Sequence, residues 1–207
     1  MTRQYDSSRR AAAAAKTRAD IVTAAVMLHG QGILDIEAVA KQAGVSMATV
    51  RKHFPTREDL FRGCTGVFLE TVEQPAPEVL AAIPDPYERL SVVVDGVFAI
   101  QADWNGQMFQ GYVVRAESHV VEQVVAGGEA YTWALVDALM HDWQGDPDRL
   151  RAVRGLAFGL LSTLGYRALR TLGGLTQDEA VAETIAAIAN AMGIGPPSDR
   201  AGRTANQ

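Results

Sequence analysis

The residues best suited to chemistry in this sequence form a short run of small, hydroxyl-bearing and basic side chains. Short and hydroxyl-bearing side chains can approach the edges of nucleic-acid bases, and basic side chains can donate hydrogen bonds to phosphate oxygens. The pattern predicts a nucleic-acid contact made by nine residues: Ser46, Met47, Ala48, Thr49, Arg51, Lys52, His53, Thr56 and Arg57.

Local signals predict that most of this run lies on the last of three short helices. Apolar residues at helical spacing favour a first helix from residue 17, which ends at Gly30. Asp35 and Ser46 are predicted N-caps of the second and third helices, and Gly44 lies in the turn that joins them. This layout is typical of a helix-turn-helix, whose second helix enters the major groove of DNA. A glycine-containing helical hairpin also occurs in proteins that never bind DNA.

The charge distribution supports two modules with different partners. The chain has 207 residues and a net charge of −5, which alone argues against a nucleic-acid partner. Residues 1–62, however, hold ten Lys/Arg and six Asp/Glu, a net charge of +4, whereas the remaining residues hold nine and eighteen, a net charge of −9. A basic segment on an acidic remainder is consistent with a separate nucleic-acid-binding module.

Residues 44–54, GVSMATVRKHF, and the PTREDLF segment after them resemble the DNA-binding domain of the tetracycline-repressor (TetR) family. The resemblance covers about residues 17–61 and includes the upstream segments IVTAAVMLHGQG and DIEAVAKQAG. Arg51 stands where the family usually has a tyrosine that touches a phosphate or a base, and arginine can make either contact. Glu37 would repel phosphate, so no contact is carried over to that position.

The resemblance implies an all-α homodimer that binds a palindromic operator in double-stranded DNA. It also implies that a small-molecule effector releases the protein from this DNA. Helical faces and capping signals predict about nine helices. We expect a flexible arm at residues 1–15, a DNA-binding domain at residues 16–62, a helical effector-binding and dimerisation domain at residues 63–195, and a flexible tail at residues 196–207. The arginines of the arm are predicted to be solvated, and the alternative is that they reach a minor groove.

The resemblance also implies that the last two helices form the dimer interface; the alternative is that their apolar stripes pack inside one subunit. The residues expected at this interface are Gly155, Gly159, Leu160, Val181, Ile185, Ile188 and Met192. Aromatic residues of the middle helices are candidates for the wall of an effector pocket, although aromatic residues at helical spacing are more often plain core. These candidates are Phe98, Trp104, Phe109, Tyr112, Trp133 and Phe158.

No sequence motif indicates an enzyme. The chain lacks the HExxH, GxSxG, GxxxxGK[ST] and CxxC motifs, and we expect no catalytic residue, no metal site and no cofactor. One cysteine and no segment suited to crossing a membrane favour a cytoplasmic protein. Two other functions stay open: a helical small-molecule-binding dimer without DNA recognition, and a helical enzyme that merely contains a helical hairpin.

Overall fold

The computed structural model describes residues 2–143 and 145–196, with side chains from residue 8 onward. Within these ranges the chain forms ten α-helices and no strand, which confirms the predicted all-α class. The helices are α1 (Thr2–Gly30), α2 (Ile36–Gln42), α3 (Met47–His53), α4 (Arg57–Thr71), α5 (Pro77–Ala81), α6 (Pro86–Val114), α7 (His119–Leu139), α8 (Pro147–Leu161), α9 (Thr163–Arg167) and α10 (Gln177–Met192). A 3₁₀ turn (Arg115–Glu117) follows α6, and a π-helical turn (Ala168–Leu172) follows α9.

The described residues divide into two compact units. Unit 1 contains the residues up to Val72 together with Gly106–Val125, and unit 2 contains Glu73–Asn105 and the residues from Ala126 onward. Helices α6 and α7 therefore each contribute to both units. The boundary expected after residue 62 falls inside α4, which continues to Thr71.

The core of unit 1 packs α1 against the three helices that follow it. This core includes four fully buried side chains, which are Ile21 of α1, Val39 of α2, Val50 of α3 and Phe54, the residue after α3. Each side chain of this size contributes about 1.5–3 kcal/mol when it is removed from water. This small core fixes the orientation of α3.

The N-terminal segment differs from the expected irregular arm. Helix α1 begins at Thr2, so residues 2–15 are helical in the structure. The physical reason is the run of alanines at residues 11–15, because alanine has the highest helix propensity. Most of the expected C-terminal tail, residues 197–207, lies outside the described residues.

Apolar residues at helical spacing from Leu150 to Leu169 predict one helix that begins at Pro147, but the structure breaks this helix at Ser162, which corrects the prediction. Ser162 has an extended backbone, and its side chain accepts a hydrogen bond from the Gly165 amide and donates one to the Gly159 carbonyl. The break therefore ends α8 and caps α9 with one residue. None of the helices in the described part of the chain is long and apolar enough to cross a membrane.

Candidate nucleic-acid interface

Helices α2 and α3 begin and end at the residues that the sequence indicated. The Asp35 carboxylate accepts a hydrogen bond from the Ala38 amide at 2.9 Å, and the Ser46 hydroxyl accepts one from the Thr49 amide at 3.1 Å. Gly44 has φ +66°, a backbone conformation that residues with a side chain rarely adopt. These local features set the turn between the two helices and the direction in which α3 starts.

Helix α3 has one buried face and one exposed face. Val50 and the residue after the helix, Phe54, are fully buried in the core of unit 1. On the opposite face Ala48, Arg51 and Lys52 are exposed. A short helix held by its apolar side, with small and basic residues directed outward, can lie in a groove of DNA without losing its packing.

The start of α3 presents two hydroxyl groups side by side. The Ser46 and Thr49 hydroxyl oxygens are 2.9 Å apart and share a hydrogen bond, for which either oxygen can be the donor. Each hydroxyl group has one donor and two acceptor sites, so hydrogen-bonding capacity is left for a base edge or a phosphate. The first turn of α3 therefore offers uncharged hydrogen-bonding groups to a partner.

The last turn of α3 is basic. Arg51, Lys52 and His53 fall in this turn, where the partial negative charge of the helix C-terminus stabilises cations. Arg51 and Lys52 are exposed and His53 is half-buried. The structure thus places seven of the nine predicted contacts on α3 and its N-cap, and these are Ser46, Met47, Ala48, Thr49, Arg51, Lys52 and His53.

Three predicted contacts have structural partners within unit 1. Met47 is half-buried and packs against the core. Thr56 is the N-cap of α4, and its hydroxyl donates to the Asp59 carboxylate at 2.7 Å, which holds the pKa of Asp59 below its ordinary value. Arg57 forms an ion pair with Glu117 at 3.0 Å, and its guanidinium lies over the Phe61 ring. Met47 lies on α3, Thr56 and Arg57 follow α3 in the chain, and all three also stabilise the fold.

Sequence reasoning missed Arg18 on α1. Its Nη1 donates to the His53 carbonyl at 3.0 Å, and its guanidinium lies 4.1 Å from the centre of the Phe54 ring. Arg18 thereby caps the C-terminal end of α3 from another helix. The signal was its position three residues before Ile21, on the same face of α1.

Other chemistry has little support in the described residues. They contain no group of three or more His, Cys, Asp or Glu side chains that could hold a metal ion. Burial raises the pKa of the Cys64 thiol to about 12, so this cysteine stays protonated at neutral pH.

The aromatic residues predicted for a pocket do not line the groove that unit 2 contains. Phe98 is fully buried and packs edge-on against Tyr166, whereas Trp133 is 38% exposed and stacks on Phe158 at 4.3 Å. Phe109 and Tyr112 belong to unit 1, and the other four belong to unit 2. The groove is open and is lined by Tyr87, Asp95, Ala99, Gln177, Asp178, Val181, Ala182, Ile185 and Ala186.

The residues predicted for a dimer interface separate into two groups. Ile188 and Met192 are buried in the core of unit 2, at 0% and 6% exposure, so they have no surface to offer a partner. Leu160, Val181 and Ile185 are half-buried. Gly155 and Gly159 are exposed, and a side chain built on either would meet nothing within 4 Å.

An all-α chain with this turn and this exposed helix belongs to the helix-turn-helix class of proteins. The family model described as bacterial regulatory proteins of the tetR family matches residues 21–64. The similarity of the chain to the tetR family therefore covers its N-terminal domain, which contains the turn and α3.

Solved structures of low sequence identity share the fold of the chain. A transcriptional regulator from Rhodococcus sp. Rha1 is 17% identical, with a TM-score of 0.56 over 86% of this chain and 99% of that one. NalD, the secondary repressor of the MexAB-OprM multidrug efflux pump in Pseudomonas aeruginosa, is 19% identical, with a TM-score of 0.54 over 85% of this chain and 95% of that one. No curated protein matches the chain. The chain thus shares the fold of these two proteins over most of its length.

Proposed function

We propose that the protein is a dimeric transcriptional repressor of the cytoplasm that binds a palindromic operator through α3 and is released by a small-molecule effector. The observation that carries this proposal is the exposed face of α3. Both ends of α3 are fixed, by Ser46 at its start and by Arg18 at its end, while the small and basic residues between them point outward.

The proposal gives different roles to the two ends of α3. Ser46, Ala48 and Thr49 contact base edges, because only small side chains let the helix backbone approach them. Arg51 contacts a guanine or a phosphate, and Lys52 and His53 bind phosphates. Met47, Thr56 and Arg57 contact DNA from the margins of this surface, and a phosphate would compete with Glu117 for Arg57.

A second copy of the chain would bring a second α3 to the other half of a palindrome. The open glycines Gly155 and Gly159 support an interface on α8, because glycine lets another helix approach closely. Leu156 and Leu164 lie near them in the sequence and are 42% and 49% exposed. The interface we propose uses these residues with Leu160, Val181 and Ile185, and it leaves out the buried Ile188 and Met192.

A leucine at Gly159 tests the dimer. We expect Gly159→Leu to convert dimers to monomers in sedimentation velocity, and Gly128→Leu to leave them intact. Gly128 is the matched control because it is also exposed on a helix of unit 2 with nothing within 4 Å of a built side chain. Dimers that persist in Gly159→Leu would place the interface elsewhere.

We propose that the effector acts by shifting a population between two dimer states that present the two α3 helices at different spacings. An effector releases DNA only to the extent that it binds the non-competent state more tightly. The stacked pair Trp133 and Phe158 is the effector contact we propose, since Trp133 is 38% exposed and the Arg154 guanidinium lies 5.6 Å from the centre of its ring. An effector that binds without changing operator affinity would contradict this mechanism.

Selection of bound duplexes from a random library by the purified protein tests DNA recognition directly. We expect two half-sites in inverted orientation, with Lys52→Ala weakening binding to all duplexes and with Thr49→Ala or Arg51→Ala also changing the preferred sequence by about 1–3 kcal/mol per base pair. Arg151→Ala, on an exposed position of α8, is the control that removes a charge far along the chain from α3.

The outcomes separate the proposal from its alternatives. Equal losses on selected and random duplexes for all three α3 variants would refute the assigned roles. A dimer that binds small molecules but no duplex at any salt concentration would support a ligand-binding protein without DNA recognition.

A further inference from the structure

The N-terminal half of α1 extends well beyond the core that the rest of the helix helps to form. From Ser8 to Asp20 no side chain is buried, and the first fully buried residue of α1 is Ile21. At a rise of 1.5 Å per residue, these thirteen residues extend α1 by roughly 20 Å. Apart from Arg18, which contacts Phe54 and the His53 carbonyl, this length adds no buried side chain to unit 1 and offers its surface to another partner.

The composition of this extension indicates an anionic partner. Residues 2–20 contain five Lys/Arg and two Asp/Glu, a net charge of +3. One of the basic residues, Lys16, is paired with Asp20 at 2.7 Å on the exposed surface. The apolar residues between Ser8 and Asp20 are all alanines, which have little apolar surface to bury against a protein partner but let a helix lie close to a rigid surface.

The position of the extension is set by Arg18. Because Arg18 binds the His53 carbonyl and stacks on Phe54, α1 passes the C-terminal end of α3 at this point. That end of α3 carries Arg51, Lys52 and His53. Arg10, further along α1, therefore continues a basic surface that starts on α3.

We propose that Arg10 binds DNA backbone phosphates outside the half-site that α3 reads, so that α1 extends the contact along the duplex. This inference rests on the proposed DNA-binding function. Arg10 lies eight residues before Arg18, which is roughly 12 Å along the helix and within about a quarter of a turn around it. Since each strand of a duplex has a phosphate charge every 3.4 Å or so along its axis, the extension reaches roughly three base pairs further.

Duplex length tests the inference. The selected operator is prepared as a 40-base-pair duplex and as one trimmed to the outer edges of its half-sites, and binding by the full chain is measured from about 50 to 200 mM salt. We expect the unchanged protein to prefer the long duplex and Arg10→Gln to bind both duplexes equally. The slope of log K against log salt falls by about one for each phosphate that the protein no longer neutralises, which is about a fourfold change over this salt range. Arg151→Gln, with the same change in charge, should keep both the preference and the slope.

A second variant tests whether Arg10 must be held on a helical α1 to contact the duplex. Ala13→Pro breaks α1 between Arg10 and Arg18 and leaves the charge and the core from Ile21 unchanged. We expect it to abolish the preference for the long duplex as Arg10→Gln does. A preference retained in Ala13→Pro would overturn the helical presentation, because a flexible arm would then carry the contact.

The failure of this inference is distinguishable from the failure of the proposed function. If Lys52→Ala weakens binding while trimming the duplex changes nothing, only the role of the extension is refuted. If no duplex binds at any salt concentration, the DNA-binding function and this inference both fall. A change of oligomeric state in Arg10→Gln with unchanged DNA binding would assign the extension to a second copy of the chain instead.

Discussion

The helix pair α2 and α3 and the C-terminal helices of unit 2 are both helical, but they are held together in different ways. In the pair, the polar contacts that define the structure span three residues: Asp35 to the Ala38 amide and Ser46 to the Thr49 amide. In unit 2, the decisive polar contacts join residues that are far apart in the chain. Arg89 on α6, which is fully buried, forms a two-point ion pair with Asp142, 53 residues away.

A buried network of side-chain amides also joins distant parts of the chain, at the break between α8 and α9. Asn105 on α6 donates to the Gln101 side chain at 2.9 Å and to the Thr163 carbonyl at 3.1 Å. The Gln101 amide in turn donates to the Thr163 hydroxyl at 3.3 Å. The network therefore ties the first residue of α9 to α6. Local signals define the turn and the start of α3, whereas long-range polar contacts fix helix ends that local signals leave open, including the end of α3 that Arg18 caps.

The largest effect is expected when a long-range polar contact of unit 2 is removed. Arg89→Ala leaves the carbonyl groups of Ile83 and Leu139 without their buried donor and the Asp142 carboxylate without its partner. We expect a decrease of about 3–5 kcal/mol in the free energy of unfolding, measured by urea titration. Asp142→Asn should cost less because that side chain is 48% exposed. A decrease below about 1 kcal/mol in Arg89→Ala would show that unit 2 does not depend on this ion pair.

The helix break gives the second test. A side chain at Gly165 would place its Cβ 2.1 Å from the Gly159 carbonyl oxygen, which is backbone and has little room to move. We expect Gly165→Ala to destabilise the fold by up to about 3 kcal/mol. Gly128→Ala, at an open helical position, should be neutral or stabilising by about 0.5–1 kcal/mol. Equal stability of the two variants in thermal unfolding would contradict the close approach.

A buried histidine in unit 1 should make stability depend on pH. Burial, with the nearby positive charge of Arg57, lowers the pKa of His29 to about 4. The unfolded chain therefore binds the proton below about pH 6.5 and the folded chain does not, so stability is lost as the pH falls from 6.5 to 4. We expect His29 to account for about 2 kcal/mol of destabilisation at pH 5 relative to pH 7. His29→Gln should remove this part of the dependence, and an unchanged pH profile would refute the assignment.

The smallest effect is expected when a local contact, the N-cap of α3, is removed. Ser46→Ala removes the N-cap of α3 and should cost about 1 kcal/mol. Ser46→Asp keeps a cap but places a negative charge at the surface that would face DNA. We expect Ser46→Asp to restore most of the stability and to bind the selected duplex more weakly than Ser46→Ala. If both variants bind with the affinity of the unchanged protein, Ser46 has no role in recognition.

The predictions from sequence were most accurate where one residue acts on its immediate neighbours. Asp35, Gly44 and Ser46 could be identified because a turn or a cap needs a particular residue type at a fixed spacing. The flexible arm expected at residues 1–15 is helical from Thr2 onward, because a run of alanines favours a helix even where no apolar period is present.

The C-terminal helices show where such reasoning ends. Ile188 and Met192 were assigned to an interface from an apolar stripe, but a stripe has the same spacing whether it packs inside the chain or against a partner. The break at Ser162 was missed because an uninterrupted helix and two helices capped by a serine fit the same apolar pattern.

The amino-acid sequence by itself determined the helical class, the turn between α2 and α3 and the composition of the exposed face of α3, because propensity, capping and turn geometry act over three or four residues. Only the tertiary structure decided that Arg18 caps α3, that Arg89 is buried against Asp142 and that α8 ends at Ser162. Those outcomes depend on contacts between residues 35 to 62 positions apart, and such contacts form only once the helices have packed.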